Sequence, residues 1–354
     1  MSGAIDDRSV VPHETTTATE EKTMQTTWAD KGPNRQRRMA LRLLAGAAIA
    51  GPVWAQGGWP SRPLRLVVGF PPGSSPDLTA RALADPLAQA LGQPVVVENR
   101  PGAGGNIAAD VVARARDEHT LGLMINGNLT IAKLLNPATP YDPFTDLAPV
   151  SLIGTAPLVL TAAAALPAEA AAVLAAGRAA GDRWNYGSPG VGTIAHIGME
   201  MLKAATGWRA VHVPYPGNPQ VINAMLQGDV QVALLPPGLA MPQVQSGRLR
   251  AVGLTSAGRS TLAPGVPSLA EVGLRGFELE IWNAVAAPAT LPAERIRRVA
   301  EALADIVRRP DVRQKLFSQG WQVAGTSPEA LARRMRDDTA RLKAVIERNG
   351  IRAQ

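Results

Sequence analysis

Short apolar runs, each followed by a Gly- or Pro-rich turn and then an amphipathic stretch, recur along most of this chain and leave few folds open to it. Residues 64–70 are almost unbroken in apolar character, the pattern of a strand buried on both faces of a parallel sheet. A Pro/Gly/Ser turn follows, Asp77 is placed to cap a helix predicted to reach Leu91, and Gly92 is placed to end it. Pro86 lies inside that helix, where the missing donor and a clash with the preceding turn predict a kink. Residues 94–98 read as the next strand. The turn 101–105 leads to a helix over 107–115, and 121–125 read as a third strand. Three such units predict an open, mostly parallel α/β sheet.

The pattern returns further on. A short strand ends at Asn185-Tyr186-Gly187, a glycine-rich loop precedes a helix over 194–205, and 211–215, 230–235 and 249–255 read as strands of a second sheet. Ile296, Val299, Ala300, Leu303 and Ile306 fall on one face of a helix closed by Pro310, and Ser327-Pro328-Glu329 opens the last helix. A chain of 354 residues that is 46% hydrophobic has enough apolar surface for two domains. It has no cysteine, so disulfide frameworks, thiol nucleophiles and cysteine-ligated zinc are excluded.

The first 55 residues read as a segment apart. Residues 1–34 are rich in Thr, Glu and Asp with little apolar periodicity. The basic run 35–42 is followed by an apolar run 43–50, a breaker at Gly51-Pro52, and Val53-Trp54-Ala55. That order is an export signal, with cleavage expected after Ala55 and a periplasmic mature chain beginning at Gln56. Arg37-Arg38 with Leu41-Arg42 fits either a twin-arginine signal or a Sec leader with a basic head. The apolar run is too short to span a bilayer.

A net charge of +7 raises nucleic acid as a partner. The C-terminal Arg and Lys, however, alternate with Asp and Glu at helical spacing and lack stacking aromatics, so they read as a solvated helix face and no nucleic-acid partner is expected. There is no G-x-S-x-G elbow and no phosphate-binding G-x-x-x-x-G-K-[ST]. The four histidines, His13, His119, His196 and His212, are scattered, and no cluster of metal-ligating residues is visible. Neither catalysis, a cofactor nor a metal is expected. Chemistry is instead expected at two strand-to-helix turns, residues 70–77 and 187–193, which offer backbone donors and hydroxyls without a cation. Exposed N–H groups at helix starts attract anions, and open α/β sheets bind ligands at the carboxyl ends of their strands.

The stretches 59–68, 70–81 and 91–106, Pro140-Tyr141-Asp142-Pro143, Ala148-Pro149-Val150-Ser151, Asn185-Tyr186-Gly187-Ser188 and Val211-His212-Val213-Pro214-Tyr215 resemble the Bug-type solute receptors of tripartite tricarboxylate transporters. The likeness covers nearly all of residues 59–350. It implies an α/β, two-lobed periplasmic binding protein of the Venus flytrap kind with a mainly parallel sheet in each lobe. Lobe one is expected at 59–156 plus 280–354 and lobe two at 157–279. It implies a monomer that captures a small carboxylate-bearing molecule for membrane permease subunits; a sensor subunit showing its closed form to a signalling partner is the alternative. Such receptors hold the carboxylate by main-chain donors and ordered water. The matching positions are Phe70, Gly73, Ser74, Ser75 and Asp77 in lobe one and Ser188, Gly190, Val191, Gly192, Thr193 and His196 in lobe two, with Asn126 and Asn128 beside them. Ser74 and Ser75 stand where the family usually has glycines, Pro216 where a Lys is common, and Leu235 where an Asp often follows the strand. Leu235 is therefore expected in the distal pocket, making it less polar than usual.

Overall fold

The computed structural model describes residues 58–352. The expected leader, its cleavage after Ala55 and its Arg37-Arg38 pair lie outside them. The described chain opens with β1 (Leu64–Val68), α1 (Ser75–Leu91), β2 (Val95–Asn99), α2 (Asn106–Ala113), β3 (Thr120–Ile125), α3 (Ala132–Leu135) and β4 (Leu147–Pro157). It continues with β5 (Val159–Ala163), α4 (Ala170–Ala180), β6 (Asn185–Ser188), α5 (Ile194–Thr206), β7 (Val211–Pro214), α6 (Asn218–Gln227), β8 (Val232–Leu235), α7 (Pro237–Gln245) and β9 (Leu249–Leu254). It closes with β10 (Glu280–Pro288), α8 (Ala293–Arg308), α9 (Pro310–Ser318), β11 (Gln322–Val323) and α10 (Pro328–Arg348).

The strands form two sheets, ordered β11-β4-β10-β3-β1-β2 and β7-β6-β8-β5-β9. The expectation of mainly parallel sheets needs correction, because both are mixed. In the first, β1 runs parallel to β2 and β3, while β10 is antiparallel to β3 and β4, and β11 to β4. In the second, β6 is parallel to β7 and β8, while β5 is antiparallel to β8 and β9. The chain leaves the first sheet along β4, enters the second through Leu158 into β5, and comes back along β10. One crossing leads out and the other leads home, so neighbouring strands at the crossings must run in opposite directions.

Each sheet is buried on both faces. On the first, Leu64, Leu66 and Val68 pack with Leu83, Leu87, Val299 and Leu303 of α1 and α8. Val67 faces the other way, toward Ala109, Val112 and the first half of α10 at Leu331 and Met335. On the second, Val232 and Leu234 join α5 residues Ile197 and Leu202. Ala233 and Leu235 join Val221 and Met225 of α6. The far half of α10, through Leu342 and Ile346, belongs to the second sheet's core, so this helix braces both lobes. Helix α1 continues through Pro86 as one element, and its N-cap is Ser74, with Asp77 in the first turn. Pro310 opens α9 as well as ending the helix before it. No helix among the described residues is long and apolar enough to cross a membrane.

Candidate functional site

The β1–α1 and β6–α5 turns meet between the two sheets and enclose a cavity of about 20 Å³, room for about one water. Phe70, Ser75, Pro76, Ile125 and Ile281 line it from the first lobe. Leu158 lies at the crossing, and Pro189, Thr193, Ile194, Ala195, Asn218, Leu234 and Pro236 complete the wall. Four helices begin here. Ser75 opens α1, Ile194 and Ala195 open α5, Asn218 opens α6, and Pro236 is the N-cap of α7. First-turn N–H groups have no acceptor within their own helix, and each helix dipole adds about half a positive charge at this end. The buried hydroxyls of Ser74 and Ser75 have no partner in the protein. No charged side chain lines the cavity. The site is therefore electropositive through dipoles alone, with apolar walls that strengthen each such interaction.

The residues behind the two turns fix their shape. Asp77 accepts from the Gly73 N–H at 2.9 Å, from Arg81 Nε at 3.0 Å and from Asn99 Nδ2 at 2.9 Å. Burial works against its charge, but the bonds from Arg81, Asn99 and Gly73 outweigh it and hold its pKa below the usual carboxylate value. In the second turn the Thr193 hydroxyl donates to the Gly190 carbonyl at 2.8 Å and caps α5 by accepting from the His196 N–H. Ser188 Oγ accepts from the Gly190 N–H at 3.3 Å and lies 2.7 Å from His212 Nε2. The Gly192 N–H points at His196 Nδ1, 3.4 Å away.

The structure thus sorts the expected site residues. Phe70, Ser75 and Thr193 line the cavity, with Ser74 at the α1 N-cap. Gly73, Asp77, Ser188, Thr193 and His196 spend their polar groups inside the turns. Asn128 is likewise committed, donating to Gly104 O and Asn106 Oδ1. Asn126 donates to Glu280 O and keeps a buried oxygen without a partner. Gly190, Val191 and Gly192 face a second, outer cavity of about 690 Å³, which also holds Tyr215 and Pro216. Leu235 is a difference of register: it points into the core on the far face of β8, and Leu234 and Pro236 reach the cavity in its place. Pro76, Leu158, Ile194, Ala195, Asn218 and Ile281 were not singled out in the sequence. The helix-start positions Ile194 and Ala195 were recoverable from the turn they follow.

Glycines form the seam around this site. A Cβ on Gly104 would stand 2.6 Å from the Val191 oxygen, one on Gly190 2.9 Å from Gly104 Cα, and one on Gly127 2.7 Å from the Gly192 oxygen. On the opposite side a Cβ on Gly238 would stand 2.0 Å from the Gln319 oxygen. The lobes meet backbone to backbone.

The sequence model of the "Tripartite tricarboxylate transporter family receptor" matches residues 79–351. The chain belongs to that family. It is 33% identical to the protein BugT of Bordetella pertussis over 311 residues, which is 87% of this chain and 95% of BugT. Among solved structures it is similar to Rpa4515 of R. palustris with adipate, at a TM-score of 0.80 and 30% identity, covering 82% of this chain and 98% of that one. It is also similar to MatC from Rhodopseudomonas palustris with bound malate, at a TM-score of 0.78 and 28% identity over 81% and 100% of the two chains.

Proposed function

We propose that this chain is a periplasmic receptor that binds a small carboxylate between its lobes, without catalysis, and hands it to the permease subunits of a tripartite transporter. The lobes are residues 59–156 with 280–354, and 157–279, and the receptor acts as a monomer. The observation that carries this reading is the inter-lobe cavity where four helix N-termini meet beside the unpartnered hydroxyl of Ser75, with that of Ser74 next to it in the chain. Adipate and malate in two structural relatives point to the same ligand class. The carboxylate takes its bonds from the first-turn N–H groups of α1 and α5 and from the two serines, each charge-assisted bond contributing about 1.5–3 kcal/mol. The ligand is both admitted and held with the lobes further apart than in this structure, since the cavity has room for about one water.

The cavity also holds no Asp or Glu, so an ammonium group would be buried without a partner, at a penalty of several kcal/mol. Aspartate is expected to bind more weakly than succinate or malate, and calorimetry with tighter aspartate would contradict this. A thermal-shift screen of mono-, di- and tricarboxylates tests the whole reading. A ligand at a hundred times its Kd is expected to stabilise the protein by about 2.7 kcal/mol. Ala195→Leu, which puts bulk into the cavity, is expected to abolish the response. Should no carboxylate raise the midpoint, or should Ala195→Leu respond as the parent does, the site is wrong.

A further inference from the structure

Beneath the second-lobe turn lies a buried cluster of titratable side chains that ligand contact does not explain. His212 on β7 stacks on Tyr186 of β6, with ring centroids 4.7 Å apart and planes at 15°. His196 on α5 lies 4.5 Å from His212. Glu200, one turn further along α5, accepts from the Tyr186 hydroxyl at 2.5 Å and from Lys203 Nζ at 2.9 Å. Tyr186, Glu200 and Lys203 are thus the charged and titratable groups around the pair. Glu200 favours a charged imidazole at both rings and Lys203 opposes it, and burial outweighs Glu200.

The two rings hold the turn through two separate handles. His212 Nδ1 is buried without a partner. An unpaired acceptor is tolerated better than an unpaired N–H, so Nδ1 is the bare nitrogen and Nε2 carries the proton that is given to Ser188 Oγ. Ser188 in turn accepts from the Gly190 N–H and donates to the Gly190 carbonyl at 3.2 Å. His196 Nδ1 is the acceptor for the Gly192 N–H. Only the His196 handle needs a neutral ring. A second proton on His212 would leave its Nε2–H bond to Ser188 in place, at the cost of a buried N–H with no acceptor beside His196. A second proton on His196 would turn the acceptor of the Gly192 N–H into a donor.

We propose that His196 and His212 are positioning residues that set the shape of the 188–193 turn in their neutral forms, and that protonation of His196 in acid releases the Gly192 amide. The inference rests on the proposed ligand site, because the turn precedes the α5 N-terminus that would bind the carboxylate. Burial, first, and then the neighbouring His196 push the His212 pKa down to about 4, and burial also lowers that of His196. Release therefore falls below neutrality.

The test follows the 15N–1H signal of Gly192 and the imidazole nitrogens of the purified protein from pH 7.5 to 4, with no ligand added. The Gly192 signal is expected to shift with the midpoint of His196. In His196→Gln, which keeps an uncharged acceptor, the Gly192 shift with pH is expected to vanish. A Gly192 signal that titrates in His196→Gln as in the parent, or that stays fixed while the parent imidazoles titrate, overturns the proposal. Since no ligand takes part, failure here leaves the carboxylate screen untouched, and failure of the screen leaves this result standing.

Discussion

At the scale of single residues the site divides into groups left free and groups already bonded. Ser74 and Ser75 have hydroxyls with nothing to bond in the protein, so removing them is expected to spare the fold and weaken the ligand. Ser75→Ala should lose about one charge-assisted bond, ~1.5–3 kcal/mol of binding, with an unchanged unfolding midpoint in the absence of ligand. Asp77→Ala should behave in the opposite way. It strands the Gly73 N–H and the Asn99 amide, and is expected to lower stability by about 1–3 kcal/mol in urea titrations at pH 7. Because the Asp77 pKa is depressed in the fold, its contribution is complete above the unfolded value and disappears as pH falls through the folded one. Parent and variant should therefore converge in strong acid; a constant difference down to pH 2 would show that the charge plays no part. Leu235 marks where reading residues from sequence fails. Strand β8, Val232–Leu235, is apolar on both faces, so the hydrophobic pattern carries no register, and neighbouring residues point to opposite sides. Strand-to-helix turns carried a stronger signal. Ser75 and Thr193 could be placed at helix starts from sequence because serine and threonine are favoured there as caps, a signal that does not separate a cap such as Thr193 from a free hydroxyl such as Ser75.

At the scale of elements, the parallel units were legible and the antiparallel strand directions at the crossings were not. β1, β2, β3, β6 and β7 each precede a helix or follow a turn with Gly or Pro, so their limits can be read within a residue or two. β4 and β10 run 11 and 9 residues between the lobes and form the antiparallel centre of the first sheet. β4 ends at Pro157 and β10 at Pro288, breaks that do not give the direction of the next strand, and their apolar character fits a parallel or an antiparallel partner equally well. That is why the sheets read as mainly parallel. The β6–α5–β7 unit carries a prediction of its own. His212 and His196 both have depressed pKa values in the fold, so the unfolded chain binds more protons than the folded one in mild acid. Stability is therefore expected to fall as pH drops from about 6.5 toward 4, by an order of 1–3 kcal/mol. Urea midpoints across that range for the parent and for His212→Asn measure it, and the variant should show the shallower slope. Equal slopes would mean that the rings already reach water.

On the scale of the whole molecule, closure is controlled where the two backbones touch. Gly127 follows β3 in the first lobe and lies in a single π-helical turn, Gly127–Ile131, rather than in a left-handed conformation. Alanine can therefore take its place without backbone strain in the open protein. In the closed arrangement the added Cβ would lie 2.7 Å from the Gly192 oxygen and 3.4 Å from Thr193 Cα, both main-chain atoms of the other lobe. Neither can move aside as a side chain can, so one methyl must hold the lobes apart. The seam opposite, at Gly238 and Gln319, is too far along the chain to compensate locally. Gly127→Ala is thus expected to remove the fully closed state while leaving each lobe folded. The absence of native cysteine makes the measurement clean: spin labels at Ile107→Cys and Val211→Cys, two exposed positions on different lobes, report the separation without background. The parent should show a short-distance population that Gly127→Ala lacks. Circular dichroism matching the parent would exclude misfolding as the cause. Indistinguishable distance distributions in parent and variant would mean that the lobes never approach to the seam in solution.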